Sequence, residues 1–194
     1  GAQKALAAGF SSVMFDGSHY SIDENIAKTK EIVALANSLG ATVEAEVGSI
    51  GGEEDGVTGR GEVADENECA LIASLGIDML AAGIGNIHGK YPANWKGLDF
   101  EALAKIKEAV GSMPLVLHGG TGIPAEMIKK AISLGVCKIN VNTEFQQAWT
   151  ALVREALAKD PNVYDPRKVI GPGLKGIEAV VVEKCSVFGC INKA

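Results

Sequence analysis

The 194-residue sequence lacks the features that would mark a membrane, secreted or nucleic-acid-binding protein. No apolar run approaches the ~20 residues of a membrane-spanning helix, and the first residues show no basic region followed by a cleavage site. The formal net charge of −6 comes without a lysine or arginine cluster, which argues against a nucleic-acid-binding surface. We therefore expect a cytoplasmic protein that contacts neither membrane nor nucleic acid.

Cysteine and histidine are both scarce. The four cysteines show neither C-x-x-C spacing nor the density of a disulfide scaffold, so reduced thiols are expected. Of the three histidines, two end apolar runs and are followed by glycine: His88 in "GNIHGKY" and His118 in "LVLHGGTG". His19, in "DGSHYS", is equally consistent with a surface residue.

Apolar runs typical of β-strands alternate with longer segments of helical period, which predicts parallel strands joined by crossover helices. The 47% hydrophobic content supports one domain, residues 1–194, with 159–194 as a C-terminal helical extension. Strands are expected near 11–15, 42–47, 78–82, 114–118 and 137–141. Helices are expected near 23–39, 65–75, 99–110, 124–134 and 144–158, and a last one near 167–184 after the breakers "DP" and "GPG".

Glycine and proline mark several of these boundaries. Gly40, Gly76 and Gly135 each stand where a helix gives way to a strand, as expected for helix C-caps. Pro124 suits the first position of a helix.

Residues with plausible chemistry follow the predicted strands: Asp16, Glu46, His88, His118 and Asn140. Active sites of β/α barrels are assembled at those strand ends. Five strand-helix units are too few for eight strands, and a complete barrel usually needs ~250 residues. The predicted fold is therefore an α/β, (β/α)8 TIM barrel of which this chain holds about the last five βα units. An open doubly wound sheet is the alternative.

The two strand-end histidines suggest a metal site. Neutral imidazole is the commonest metal ligand, and a catalytic zinc takes three protein ligands with one position left open. Because neighbouring strand ends meet in a barrel, His88 and His118 are expected to share one ion. The alternative is that each histidine merely caps its strand.

Glycines after each histidine suggest an anion site, because a backbone without side chains can present its N–H groups to a phosphate. "HGGTGIP" and "NVNTE" both run into helix N-termini, which also favour phosphate. Thr143 is a candidate N-cap of the second helix. The alternative is a pair of ordinary tight turns.

Alternation in the strand 42–47 places Glu44 and Glu46 on one face, and buried carboxylates need partners. The last strand offers Lys138 and Asn140 on one face. We predict that Lys138 pairs with Glu44, while Glu46 and Asn140 lie nearer the site. A solvated edge strand is the alternative.

A glycine-rich segment, "GSIGGEEDGVTGRGE", follows Glu46 and holds six glycines between residues 48 and 61. A mobile loop of this kind can deliver a carboxylate base once substrate is bound. A solvated acidic turn is the alternative.

Five stretches together resemble the class II, zinc-dependent ketose-bisphosphate aldolases, the fructose- and tagatose-bisphosphate aldolase family. They are "SVMFDGSHYS", "EAEVGSIGGEED", "GNIHGKY", "LVLHGGTGIP" and "KINVNTE", in the family's order. The resemblance implies the eight-stranded barrel fold and a catalytic zinc. It implies that His88 and His118 bind this zinc, that Glu46 binds it in a more buried position, and that Asp16 lies near an alternative metal position.

The resemblance also implies roles toward the substrate. Glu54 would take a proton from dihydroxyacetone phosphate, and Asn140 would orient that substrate. Backbone around Gly89 and Thr121 resembles the family's site for a monovalent cation, Na⁺ or K⁺. The positions matching the phosphate and triose site are Gly89, Gly119, Gly120, Thr121, Asn140, Val141 and Thr143.

The implied activity is reversible cleavage of fructose 1,6-bisphosphate, or of tagatose 1,6-bisphosphate, to two triose phosphates, by a homodimer or homotetramer. The family's third zinc histidine and catalytic aspartate lie on the strand before "AGFSSVMFDGS", so we expect a segment of a longer enzyme. A truncated product that binds zinc poorly is the other interpretation. Two rival functions remain: a Schiff-base aldolase that uses Lys138 as its nucleophile, and a non-catalytic phosphosugar-binding subunit.

Overall fold

The computed structural model describes the backbone of residues 1–54, 57–59 and 61–193, and the side chains of residues 1–52 and 61–193. The strands are β1 (Ser12–Phe15), β2 (Thr42–Val47), β3 (Gly51–Glu54), β4 (Val57–Gly59), β5 (Met79–Ala82), β6 (Ile87–His88), β7 (Leu115–Leu117) and β8 (Val136–Ile139). The helices are α1 (Ala2–Ala7), α2 (Ile22–Ser38), α3 (Glu66–Ala73), α4 (Phe100–Val110), α5 (Ala125–Ser133), α6 (Thr143–Lys159) and α7 (Pro166–Val187). The predicted segments differ from these bounds by a few residues.

Five strands form one parallel sheet whose order follows the chain, β1-β2-β5-β7-β8. Neighbouring strands pair in parallel, as Val13 pairs with Val43 and Ala45 with Leu80. A doubly wound sheet reverses its order at a switch point, and the described strands of this sheet show no reversal. The order is that of consecutive units of a β/α barrel. The predicted barrel-type fold is confirmed, and the doubly wound alternative is wrong.

A second sheet occupies the segment predicted to be a glycine-rich loop. β3 and β4 form an antiparallel hairpin, and β3 also pairs in parallel with the two-residue strand β6. Gly52 pairs with His88 across this sheet. A side chain at Gly52 would meet the backbone oxygen of His88 at 2.0 Å, so glycine allows the two strands to approach. The sequence analysis did not predict these two strands, and the mobility proposed for the segment stays a prediction.

The hydrophobic core lies between the parallel sheet and its crossover helices. On β2, Val43, Ala45 and Val47 belong to this core. Glu44 and Glu46 occupy the opposite face and are 4% and 3% exposed. The alternation predicted for this strand is therefore confirmed, and the solvated-edge alternative is wrong.

Helix ends largely follow the predicted signals. Gly40, Gly76 and Gly135 have φ angles of 68°, 86° and 107° and follow the ends of α2, α3 and α5, as expected of C-terminal caps. Pro124 is the N-cap of α5 rather than its first residue, because its ψ of 139° is extended. That prediction is wrong by one position.

The two last helices pack along each other, and α7 continues through the "GPG" that was predicted to precede it. Its glycines have a packing role. A Cβ at Gly173 would meet the Trp149 ring at 2.3 Å, and one at Gly176 would meet the Ala148 carbonyl oxygen at 2.6 Å. Small residues thus bring α7 close to α6. No helix in the described part of the chain is long and apolar enough to cross a bilayer.

Candidate metal and phosphate site

The two strand-end histidines lie together. His88 ends β6, and His118 directly follows β7. Their ring centroids are 5.8 Å apart with the planes inclined by 75°. His118 is buried and His88 is half-buried. Both residues line one cavity of about 770 Å³, so the expected proximity of these histidines is confirmed, while the shared ion stays a prediction.

His118 is held by a buried carboxylate. Its Nε2 lies 2.8 Å from Oε1 of Glu44, whose Oε2 accepts a hydrogen bond of 2.7 Å from Lys138 Nζ. Burial alone would raise the pKa of Glu44, but the hydrogen bonds to His118 and Lys138, and their charges, outweigh it and hold the pKa below its ordinary value. The predicted pairing of Lys138 with Glu44 is confirmed.

Asn140 also lies against the His118 ring. Its Nδ2 is 3.4 Å from Nδ1 of His118, and its side chain lines the cavity. The predicted position of Asn140 at the site is confirmed.

Glu46 near the end of β2 and Asp16 just after β1 interact electrostatically. The Glu46 side chain is almost wholly buried, and its burial, together with the charges of Asp16 and Glu44, raises the pKa of Glu46 to about 8. Its backbone carbonyl accepts a hydrogen bond from Asn25 Nδ2. Asp16 accepts hydrogen bonds from the backbone and hydroxyl of Ser18. Neither acid is among the described residues lining the cavity of the histidines, and it is Glu44, not Glu46 as predicted, whose carboxylate contacts His118.

The glycines after the histidines bring two loops into contact. Gly89 and Gly119 have φ angles of 87° and 67°. A Cβ at Gly119 would lie 2.2 Å from the backbone oxygen of Ile87, so only glycine allows this approach. The Gly120 N–H donates to the Asn140 carbonyl at 2.8 Å. This hydrogen bond joins the His118 loop to the segment after β8. The glycines of the His118 loop were expected to present their N–H groups to a phosphate, but the N–H of Gly120 is bound to Asn140 instead.

The N-terminus of α6 opens into the same cavity. Asn142 is the N-cap and Thr143 the first helical residue, so the prediction of Thr143 as the N-cap is wrong by one position. Thr121 Oγ1 accepts a hydrogen bond of 3.2 Å from the backbone N–H of Glu144. Thr121, Val141 and Thr143 all line the cavity.

Two positioning residues within "NIHGKY" were not predicted. Asn86, 2% exposed, donates from Nδ2 to the His118 carbonyl at 3.0 Å. The Tyr91 hydroxyl donates to the Gly119 carbonyl at 2.9 Å and accepts from the Ile87 N–H at 3.0 Å. Both side chains thus tie the His88 loop to the His118 loop. Their closeness to His88 in the sequence was the available signal.

The far wall of the cavity comes from α7, which sequence reasoning treated only as an extension. Val181, Lys184 and Phe188 line the cavity. Lys184 Nζ lies 2.9 Å from Glu144 Oε1, and the lysine side chain is only 12% exposed. The last two helices therefore belong to the site.

Comparison with known proteins assigns this arrangement to a family. The sequence model of class-II fructose-bisphosphate aldolase matches residues 1–193. The chain belongs to this family. It is 50% identical over its whole length to the fructose-bisphosphate aldolases of Streptococcus pyogenes serotype M1 and Mycoplasma pneumoniae, and spans 69% of each.

The fold is similar to that of a solved aldolase. The YdjI aldolase from Escherichia coli K12 is 36% identical, with a TM-score of 0.80, and the match covers 99% of this chain and 65% of that one. The chain thus spans about two thirds of the length of the relatives it matches.

The donor set suits the metal that the family resemblance implies. Imidazole nitrogens are preferred zinc ligands, and a metal-bound histidine commonly gives its second ring nitrogen to a carboxylate, as His118 does to Glu44. Within the described residues no group of three or more His, Cys, Asp and Glu side chains is placed to hold a metal. His88 and His118 are thus the two candidate ligands in the described part of the chain, one fewer than the three that a catalytic zinc takes.

Two further sequence candidates can be placed. Lys138 Nζ lies 2.7 Å from Glu44 Oε2, and Lys138 is not among the described residues that line the cavity, which argues against a Schiff base there. His19 is exposed, and its ring contacts that of Tyr20 at a centroid distance of 4.0 Å with the planes inclined by 42°, as a surface residue could. The Glu54 side chain lies outside the described residues. Its backbone belongs to β3, whose Gly52 pairs with His88.

Proposed function

We propose that this chain is the larger part of a cytoplasmic, zinc-dependent class II aldolase. Its reaction is the reversible cleavage of fructose 1,6-bisphosphate to dihydroxyacetone phosphate and glyceraldehyde 3-phosphate. Tagatose 1,6-bisphosphate is the alternative substrate. The observation that carries the proposal is the His88–His118 pair, backed by Glu44, in a cavity that also receives the N-terminus of α6.

His88 and His118 would hold the zinc, with Glu46 and Asp16 proposed for alternative metal positions. When bound, zinc supplies Lewis-acid stabilisation of negative charge that develops next to a ketone. Glu44 fixes the ring of His118 through its hydrogen bond.

Two side chains of this chain are proposed to transfer the proton and to orient the substrate. Glu54 is proposed as the base that takes a proton from the triose, since β3 carries it next to the strand of His88. Asn140, which lies against the His118 ring, would orient the ketose by hydrogen bonding. Holding the reacting carbon in place lowers the entropic part of the barrier.

The phosphate would bind between the glycine loops and α6. Gly89, Gly119 and Thr121 present backbone and hydroxyl groups there, and the helix N-terminus favours an anion. Val141 and Thr143 complete this wall. We also propose a monovalent cation, Na⁺ or K⁺, at the backbone of Gly89 and Thr121, and a homodimer or homotetramer as the working state.

The first test is metal content by mass together with cleavage of both bisphosphates, on the complete protein. About one zinc per chain is expected, with turnover lost to a chelator and restored by zinc. Comparison of the two substrates identifies the preferred ketose. His118→Ala is expected to lose zinc and activity.

His19→Ala is the matched control, because His19 is exposed and its ring contacts Tyr20 rather than the cavity. It is expected to keep both zinc and activity. Zinc-independent turnover, with borohydride trapping substrate on Lys138, would replace this proposal by the Schiff-base mechanism. Phosphosugar binding without turnover would support the non-catalytic subunit.

A further inference from the structure

Lys184 is the single lysine or arginine among the described residues that line the cavity, in a chain with a net charge of −6. It enters from α7, at the far end of the sequence from the histidine loops. Its side chain is 12% exposed, so its ammonium group is largely withdrawn from bulk water. A cation in such a place interacts more strongly with charges than one on an open surface.

Glu144 is the nearer and more buried of two carboxylates at this lysine; the other, Glu183, lies 3.6 Å from its Nζ and is 62% exposed. In Glu144, Oε1 is 2.9 Å from Lys184 Nζ, Oε2 is buried without a hydrogen-bond partner in the described structure, and the side chain does not line the cavity. Its backbone N–H donates to Thr121 Oγ1. Glu144 is the second residue of α6, so its carboxylate lies in the first turn of the helix whose N-terminus opens into the cavity.

We propose that the Lys184–Glu144 pair sets the affinity of the cavity for the phosphate group of its substrate. Lys184 attracts the anion, and Glu144 weakens that attraction by neutralising part of the lysine charge. This inference rests on the proposed function, which makes the ligand a sugar phosphate. A phosphate monoester carries about 1.5 to 2 negative charges near neutral pH, so one lysine charge matters for its binding.

A purely structural role for the pair makes a different prediction. If the pair only docks α7 onto α6, loss of either partner loosens the same contact, and both variants weaken binding of any ligand. If the pair instead sets the positive charge that a phosphate meets in the cavity, removal of the lysine weakens phosphate binding and removal of the carboxylate strengthens it. The direction in which removal of the Glu144 carboxylate changes the ligand affinity therefore separates the two roles.

The experiment is calorimetric titration of the complete, zinc-loaded protein with dihydroxyacetone phosphate. Lys184→Met is expected to raise Kd about fivefold, and Glu144→Gln to lower it about fivefold, at low ionic strength. Both shifts are expected to shrink with added salt. Uncharged dihydroxyacetone is the matched probe, and neither substitution should change its Kd.

Lys175→Met is the matched control, because Lys175 is exposed on the same helix. Circular dichroism checks that each variant is folded, and Glu144→Gln tests the inference even if Lys184→Met unfolds. Weaker binding in both variants, or no change in either, would overturn the inference while leaving the proposed function standing. Failure of the unaltered protein to bind dihydroxyacetone phosphate would overturn both.

Discussion

The Nε2 atom of His118 lies 2.8 Å from Oε1 of Glu44, and both side chains are buried. The contact joins the residue after β7 to the middle of β2. A carboxylate at this distance fixes both the tautomer and the orientation of an imidazole, because the ring nitrogen facing it donates. Nδ1 is then the nitrogen of His118 left for a metal.

Loss of the Glu44 carboxylate should weaken metal binding, with a smaller effect on folding. Glu44→Gln is expected to lower zinc affinity about 10- to 100-fold, the usual effect of removing a partner behind a metal-bound histidine. Competition with a chromogenic chelator measures the affinity without reference to turnover. Lys138→Met is the comparison, and a smaller loss is expected because water can replace the half-exposed lysine. Unchanged affinity in Glu44→Gln would contradict this role.

Cys69 should resist alkylation until the protein unfolds. The thiol is wholly buried in α3, and burial, with the charges of Asp65, Glu68 and Glu66, raises its pKa to about 12. The ordinary pKa of the thiol is 9.0, so from about pH 9 to about pH 12 the unfolded chain ionises it more readily than the folded chain, and this group lowers stability as pH rises through that range. Mass spectrometry after timed iodoacetamide treatment gives the rate at each position.

The exposed thiols of Cys137 and Cys190 serve as internal controls for that experiment. They are expected to react without denaturant. Labelling of Cys69 at the same rate as these two, in folded protein, would show that α3 opens without global unfolding.

Much of the fold was predictable because its signals are local. The alternation of Glu44 and Glu46 with apolar neighbours predicted a strand with one polar, buried face, and the structure bears this out. The same alternation around Lys138 predicted its pairing with Glu44 across 94 residues. Buried charges need partners, so two polar strand faces in one sheet constrain each other.

What the sequence did not reveal depends on contacts between distant segments. The strand β6 has two residues, too few for any periodic signal, and the hairpin of β3 and β4 is rich in glycine, which is depleted in strands. Lys184 follows an apolar helical run with no local sign of a site. Only the packing of α7 on α6 brings it to Glu144.

Removal of the Tyr91 hydroxyl should loosen the link between the two histidine loops. The hydroxyl donates a hydrogen bond to the Gly119 carbonyl and accepts one from the Ile87 N–H. Its burial raises the pKa of Tyr91 to about 12. Tyr91→Phe is expected to cost about 1–3 kcal/mol of unfolding free energy, since it leaves these groups without their partner. Urea denaturation of the metal-free protein measures the loss.

Tyr164→Phe is the matched control, because Tyr164 is 92% exposed. A change within about 0.5 kcal/mol is expected there. If Tyr91→Phe costs no more than Tyr164→Phe, the two loops are held by other contacts, and Asn86 becomes the residue to test.

Two glycines of the His118 loop allow the cost of a positive φ angle to be measured apart from the cost of a steric clash. Gly119 and Gly122 both have positive φ, 67° and 74°, but a Cβ at Gly119 would lie 2.2 Å from the Ile87 oxygen while one at Gly122 would meet nothing within 4 Å. Gly122→Ala should cost about 1–2 kcal/mol, the price of that backbone region for an L-residue. Gly119→Ala should cost about 1–3 kcal/mol more, because the added methyl group forces the loops apart. Urea denaturation compares the two variants, and chelator competition should show weaker zinc binding only in Gly119→Ala. Equal effects of both substitutions would mean that the loops can separate freely and that their contact does not set the spacing of His88 and His118.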